Sequence, residues 1–477
     1  MWLGNVFPDE GWYLHAGRLV ALGQVPYRDF AFFQAPLGAY LFALVDGSFL
    51  AGRSLCMLLG VCAIGLALDI ARRRGRRELM WTALLLVPAT YTMRWYSVSR
   101  NIAPAACLIM SALWIHDRST RRPSLLAVVP LALATGLRLS AAGAIAALIA
   151  IEVIAPAGGS RWREATRSGL AACLVLTLVL APFALPHPEL FLFHNLLYHT
   201  GLHPAASLSQ QILSKLNGLL RIADHHLLLL LVGAWALAAL RRSFIPRDRT
   251  LLLAWLIVVF VTALHLVPGR LHPEYHELVM PPLALAVGCA AARASTRRTL
   301  HEDGQGTPSM SRSRAWRRTV VTILVVHELL GARTQLAAHG GWSRSVLVEV
   351  GERLGRLSGP GRPVVTFVPE LALFAGRPLI PGLEMASVSL ARPDVDDERC
   401  RRYHMINLRA LSRTLRDRTA GAVAWKDLED ADPRRVALYQ DGSREDVRRA
   451  LEEAYQRVET HGGWELWAAR RAPGKTP

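Results

Sequence analysis

Apolar runs and arginine clusters alternate along most of this 477-residue chain, and that alternation limits its fold more than any single motif does. A helix crossing a bilayer needs about 20 largely apolar residues, and short loops rich in Arg or Lys stay on the cytoplasmic side. The run at residues 55–71 ends in Arg72, Arg73, Arg74, Arg76 and Arg77, which fixes that side. From there the runs 79–91, 102–115, 125–137, 139–154, 170–185, 227–240, 251–267, 278–292 and 319–330 alternate in direction. The clusters Arg118, Arg121 and Arg122, then Arg161, Arg163 and Arg167, then Arg241, Arg242, Arg247 and Arg249, and the basic stretch 293–318 all fall on the inner side. The chain therefore reads as an α-helical polytopic membrane protein.

Composition agrees, with 52% hydrophobic residues, 19% charged and a mean hydropathy of +0.25. The net charge of +18 is not a nucleic-acid face, because the basic residues are divided into short loops between apolar runs. Cys56, Cys62, Cys107, Cys173 and Cys289 lie in or beside those runs and Cys400 stands apart, which argues against a disulfide framework or a cysteine zinc site. Residues 1–7 show neither the basic region nor the apolar core of a cleavable signal.

Three regions follow: an outer loop with interfacial helices at 1–52, a multi-span domain at 53–331, and an extracytoplasmic α/β domain at 332–477. Residues 10–22 are too short and polar to span and should lie in the interface; 37–50, carrying Asp46, reads as a second interfacial or re-entrant helix. Residue 9 then faces outside, which predicts either a chain start upstream of Met1 or an N-terminus translocated without a helix. Residues 186–224 read as a long outer segment. In the C-terminal part, helices are expected at 343–357, 404–418 and 444–459, and strands at 363–368, 421–425 and 463–469. No phosphate-binding glycine loop or nucleophile elbow interrupts them.

Asp9 and Glu10 put two carboxylates at a membrane surface just before the spans. Glycosyl transfer needs a base for the acceptor proton and cations for a departing lipid phosphate. Asp9 is the candidate base and Glu10 its neighbour, although acids also start helices for dipole reasons alone. Arg94, Arg100, Arg138 and Arg270 lie in predicted outer loops or span ends, against the topological preference, and are candidate phosphate ligands. His194, His199 and His203, with His272, Glu274, His276 and Glu277, offer donors for a divalent metal ion, but their spacing matches no strong zinc pattern. His225, His226, His327 and Glu328 read as structural.

The run Asp9-Glu10-Gly11-Trp12-Tyr13-Leu14, followed by Gly23-Gln24-Val25-Pro26-Tyr27-Arg28-Asp29-Phe30 and Pro36-Leu37, resembles the first outer loop of bacterial GT-C glycosyltransferases. These are polytopic enzymes related to protein O-mannosyltransferases and to the aminoarabinose transferases of lipid A. Phe193-His194-Asn195-Leu196-Leu197-Tyr198-His199 and Glu274-Tyr275-His276-Glu277-Leu278 are similar to further segments of such proteins. Over residues 1–331 the resemblance implies a GT-C-like fold and an inverting transferase that uses a polyprenyl-phosphate-linked sugar on the outer face of the bacterial plasma membrane. It puts Asp9 in the catalytic acidic position with Glu10 as partner, and makes Tyr13, Tyr27, Asp29, Tyr198, His199, Glu274, Tyr275 and His276 candidate substrate-loop residues. The acceptor is open: glycan, lipid or protein. Gln34-Ala35-Pro36 stands where aminoarabinose transferases carry a lysine, so one basic contact to the donor is absent or supplied elsewhere. Two other readings keep the same spans: a transporter or flippase for lipid-linked glycans, which would want charges deep within the spans, and a non-catalytic membrane scaffold.

Overall fold

The computed structural model describes residues 6–7, 9–119, 123–156, 160–198, 208–240, 248–267, 271–303, 322, 325–326, 342–391, 395–426 and 443–470. Among them the helices Phe49–Arg74, Arg161–Ala184 and Arg249–Leu266 are long and apolar enough to cross a membrane. The helices Leu208–His225 and Leu227–Leu240 qualify as a pair, bent by 88° at the break between them. The protein is an α-helical polytopic membrane protein with a small C-terminal sheet. The chain divides into two compact units, one of Arg53–Pro182 and His203–Leu336, the other of Met1–Gly52, Phe183–Leu202 and Ala337–Pro477.

The helical unit is built by close packing of short and long helices. Ile102–Arg118 packs along Pro123–Leu137, and Ala142–Ile154 along Arg249–Leu266. Small residues set the spacing, as they do between helices in lipid. A Cβ on Gly143 would stand 2.8 Å from the Phe260 backbone, and one on Gly288 would stand 2.8 Å from the Thr82 amide. Leu170, Leu174 and Leu178 of Arg161–Ala184 stay exposed, forming the apolar stripe that a bilayer would cover.

Four expectations change here. Residues 79–91 are not one run of helix, because Arg76–Leu86 ends before a separate short helix, Thr90–Tyr96. Within the expected outer segment 186–224, Leu208–His225 is a strongly amphipathic helix whose polar residues hid it from a hydropathy reading. The run 37–50 breaks into Leu37–Ala43 and the start of Phe49–Arg74, because Asp46 and Gly47 both take left-handed backbone angles, φ 49 and 66. The run 227–240 is one arm of the bent pair. The expected span at 319–330 lies largely outside the described residues.

The other unit holds a four-stranded sheet: β1 (Val364–Val365), β2 (Ala422–Trp425), β3 (Tyr455–His461) and β4 (Trp464–Ala469), in the order β1-β2-β4-β3. Strands β1 and β2 are parallel and the rest antiparallel. Alternate residues give two apolar faces. Val365, Val423, Trp425 and Trp467 join the core beneath the helices Leu408–Arg416 and Ser443–Ala454, while Val364, Ala422, Ala424 and Leu466 are buried on the other side, where Arg344–Ser358 packs. Caps fix the helix starts: Ser343 accepts from the Val346 amide, Asp396 from Arg399 and Asn407 from Ala410. The helix expected at 444–459 stops at Ala454, and Tyr455 opens β3. The Gly462-Gly463 pair, with φ 57 and 79, makes the two-residue turn that returns the chain as β4.

Candidate active site

In the helical unit, helix ends converge to make a buried cationic cluster. Thr90–Tyr96 brings Arg94 and Trp95; the turn before Ile102–Arg118 brings Arg100 and Asn101; the break after Pro123–Leu137 brings Arg138; and the 3-10 helix Pro273–Leu278 brings Glu274, Tyr275, His276 and Glu277. The Arg138 guanidinium lies 4.0 Å from the centroid of the Tyr275 ring and its Nη1 donates to Asn101 Oδ1 at 3.2 Å. The Asn101 Nδ2 in turn donates to the Leu137 carbonyl at 2.5 Å, tying two helix ends together. Arg100 sits 4.9 Å and Arg94 5.8 Å from the Trp95 centroid. Arg100 Nη1 is 3.8 Å from Glu274 Oε1, while Glu277 is held by His226 Nε2 at 2.8 Å.

Arg100 and Arg138 are 2% and 6% exposed. Burying a guanidinium is costly unless it is paired, and a ring face recovers only part of that cost. Arg138 Nε is buried with no hydrogen-bond partner among the described residues, so the cluster retains capacity for an anion.

Arg53 escaped the sequence reading, which began its first span two residues later. It is 1% exposed and stands one helical turn before Cys56, whose thiol donates to the Arg100 carbonyl at 3.3 Å. The signal was present as an arginine at the outer end of an apolar run, the same argument that singled out Arg94. Near the cluster, His265 Nε2 meets Ser140 Oγ at 2.8 Å, with its ring 5.7 Å from Tyr275 and 6.2 Å from His276. Arg270, His199, His203, His327 and Glu328 lie outside the described residues.

The acidic pair belongs to the other unit. The helix Glu10–Ala21 begins at Asp9, which makes no side-chain cap of its own helix. Glu10 is fully buried and accepts from the Phe7 amide at 2.9 Å. The Gly11 amide donates at 2.7 Å to Oε1 of Glu370, in the helix Pro369–Ala375 of the C-terminal domain. Glu370 was not anticipated, since nothing in its local sequence distinguishes it from an ordinary acid in the first turn of a helix. Burial, and then the adjacent charges of Glu10 and Asp9, push its carboxyl well above the usual carboxylate range.

Other candidate loop residues are engaged in holding the segment together. Tyr13 is fully buried and stacks on Trp12 at 4.2 Å. Tyr27, at φ 69, donates to the Gln34 carbonyl at 2.5 Å and stacks with His194 at 5.8 Å. Asp29 accepts from the Val25 amide at 2.7 Å, and Arg28 beside it keeps its carboxyl below the ordinary value. Tyr198 donates to the Val388 carbonyl at 2.6 Å and stacks on Phe33 at 3.7 Å. His194 Nε2 lies 2.9 Å from the Tyr403 carbonyl, and burial holds its ring down to about 4, so it is a neutral donor there. Among the described residues no group of three His, Cys, Asp or Glu side chains is placed to hold a metal ion.

Solved structures supply the comparison. ArnT from Cupriavidus metallidurans bound to undecaprenyl phosphate superposes with a TM-score of 0.65, covering 98% of this chain and 94% of that one at 14% identity. The chain has the GT-C fold. The apo form of the same ArnT gives 0.66 at the same coverage and identity. The Archaeoglobus fulgidus oligosaccharyltransferase in its apo form gives 0.55, covering 99% of this chain and 71% of that one at 14% identity. No protein-family model and no curated protein matches the sequence. The likeness is therefore one of architecture, and the GT-C fold extends through the C-terminal domain that the sequence resemblance left out.

Proposed function

We propose that this protein is an integral-membrane inverting glycosyltransferase that moves a sugar from a polyprenyl-phosphate donor to an extracytoplasmic acceptor: a glycan, lipid or protein. The observation that carries the reading is the buried arginine cluster at the helix ends remote from the Arg72–Arg77 block, in a fold shared with a protein solved with undecaprenyl phosphate bound. Arg100 and Arg138, with Arg94 and Arg53, would take the donor phosphate, and arginine suits that task through its paired, permanently charged donors. Arg270 keeps its candidate place in that set. Tyr275 orients Arg138, and Glu274 balances Arg100.

Asp9 would act as the base that removes the acceptor's proton while the sugar–phosphate bond opens through an oxocarbenium-like transition state. The acceptor oxygen bonds to the anomeric carbon from the face opposite the phosphate, which departs with the bonding electrons and inverts the configuration. The positions of the arginine blocks support a site on the non-cytoplasmic side of a bacterial plasma membrane. Purified protein supplied with polyprenyl-phosphate sugars tests the reading. Asp9→Asn should insert and fold as wild type yet transfer nothing measurable; transfer at the wild-type rate would remove it.

A further inference from the structure

We propose that Glu370 is the positioning residue of the acidic loop, a cap supplied by the C-terminal domain that fixes the helix start at Asp9 and Glu10. This rests on the function proposed above and assigns part of the C-terminal domain's role in it.

The argument begins with an ordinary use of aspartate that is missing. An Asp at a helix start usually accepts from the second or third amide of its own helix. Asp9 makes no such bond, and the Gly11 amide turns to a carboxyl 359 residues away in sequence. The fit is close: a Cβ on Gly11 would stand 2.0 Å from Glu370 Oε2 and 2.7 Å from the Glu370 amide, so glycine alone lets the two elements meet. Glu370 is 0% exposed, and the capping bond therefore forms away from water.

The groups around Glu370 explain why an acid can serve there. Asp9 and Glu10 face it from the helix Glu10–Ala21. Arg18, Asp46 and Arg344 line with it a cavity of about 400 Å³, walled by Phe49, Leu373 and Phe374. Arg18 is bound to Asp46 at 3.1 Å. The helix dipole would favour a charged cap, but full burial beside two acids outweighs it. Burial first, and then the charges of Glu10 and Asp9, raise the Glu370 carboxyl well above the usual carboxylate range. Glu370 accepts through Oε1, and Oε2 is buried with no hydrogen-bond partner among the described residues.

The test uses full-length protein in lipid nanodiscs and two readouts. Hydrogen exchange at residues 10–17 needs no substrate, so it judges the cap even where no transfer is seen. Glu370→Ala should speed exchange there by about tenfold or more, loss of a buried hydrogen bond being worth at least that factor, with residues 408–416 unchanged. In the transfer assay Glu370→Ala should lower kcat by about tenfold or more and leave the donor KM unchanged. Glu370→Gln, whose side-chain oxygen can still accept from the Gly11 amide, should keep wild-type kcat. Gly11→Ala should lose activity, and Glu370→Ala should cost little more in that background, since the two share one contact.

Unchanged exchange at residues 10–17 in Glu370→Ala overturns the proposal, as does a tenfold fall in kcat for Glu370→Gln. Should Glu370→Ala fail to fold, Glu370→Gln alone decides between these outcomes. Loss of the transferase reading is seen separately, through Asp9→Asn.

Discussion

The two ends of the helical unit hold arginine in opposite circumstances. At the end carrying the arginine block, Arg74 bridges Asp117 at 2.7 Å and Asp248 at 2.9 Å, Arg73 also reaches Asp117, Arg72 and Arg118 share Asp69, and Arg249 pairs with Glu152. At the other end Arg138 has an amide oxygen and a ring face, and the ion pair described for Arg100 is the 3.8 Å approach of Glu274. The helix Ile102–Arg118 runs from one end to the other over 17 residues, a separation of ~25 Å. Residue type is the same at both. Among the contacts described, carboxylates staple the arginines of the block, whereas Arg138 meets an amide oxygen and a ring face.

The largest effect expected is on donor binding at the Arg138 end. Arg138→Gln should raise the KM for a polyprenyl-phosphate sugar by about 10–100-fold, the range for losing a charge-assisted hydrogen bond, with little change in thermal midpoint. An unchanged KM with a fallen midpoint would make Arg138 a staple like the rest. Arg74→Ala should do the reverse: its side chain is 15% exposed, Asp248 loses the ion pair described for it, and Asp117 keeps only Arg73. A fall in melting temperature of roughly 5 °C with KM intact is expected in a thermal scan. Arg53→Gln asks which class a buried arginine in a span joins, and should follow Arg138, with a KM rise of at least about fivefold.

A smaller effect contrasts the C-terminal domain with both ends. Glu384 accepts from the Gly382 amide, and burial pushes its carboxyl up to about 7. A carboxyl raised by folding adds stability that is complete below its ordinary value, about 4.3, and is lost as pH climbs through about 7. The domain should therefore melt higher at pH 5 than at pH 8, and Glu384→Gln should flatten that slope.

The membrane architecture was legible because run length and arginine position are one-dimensional signals. The spans at 55–71, 170–185 and 251–267 sit in the three long helices, and the helix expected at 343–357 is Arg344–Ser358. Where a polar face disguised a helix, as in Leu208–His225, hydropathy failed. The bend lies beside His226, whose Nε2 meets Glu277, 51 residues away, and no local pattern encodes that contact. The candidate site shows the same division. Arg94, Arg100 and Arg138 were singled out because a predicted outer loop or span end is an unfavourable place for a cation, whereas Arg53 was missed through a boundary placed two residues late. Glu370 could not be read at all, since its importance lies in one contact spanning most of the chain.

Binding of undecaprenyl phosphate to the purified protein, measured by native mass spectrometry without any sugar or acceptor, puts the contrast between the two ends to trial. Wild type and Arg74→Ala should each retain one lipid, and the double variant Arg100→Gln/Arg138→Gln should retain none. Equal retention by all three, or none by the wild type, would contradict the assignment of these arginines to a phosphorylated isoprenoid.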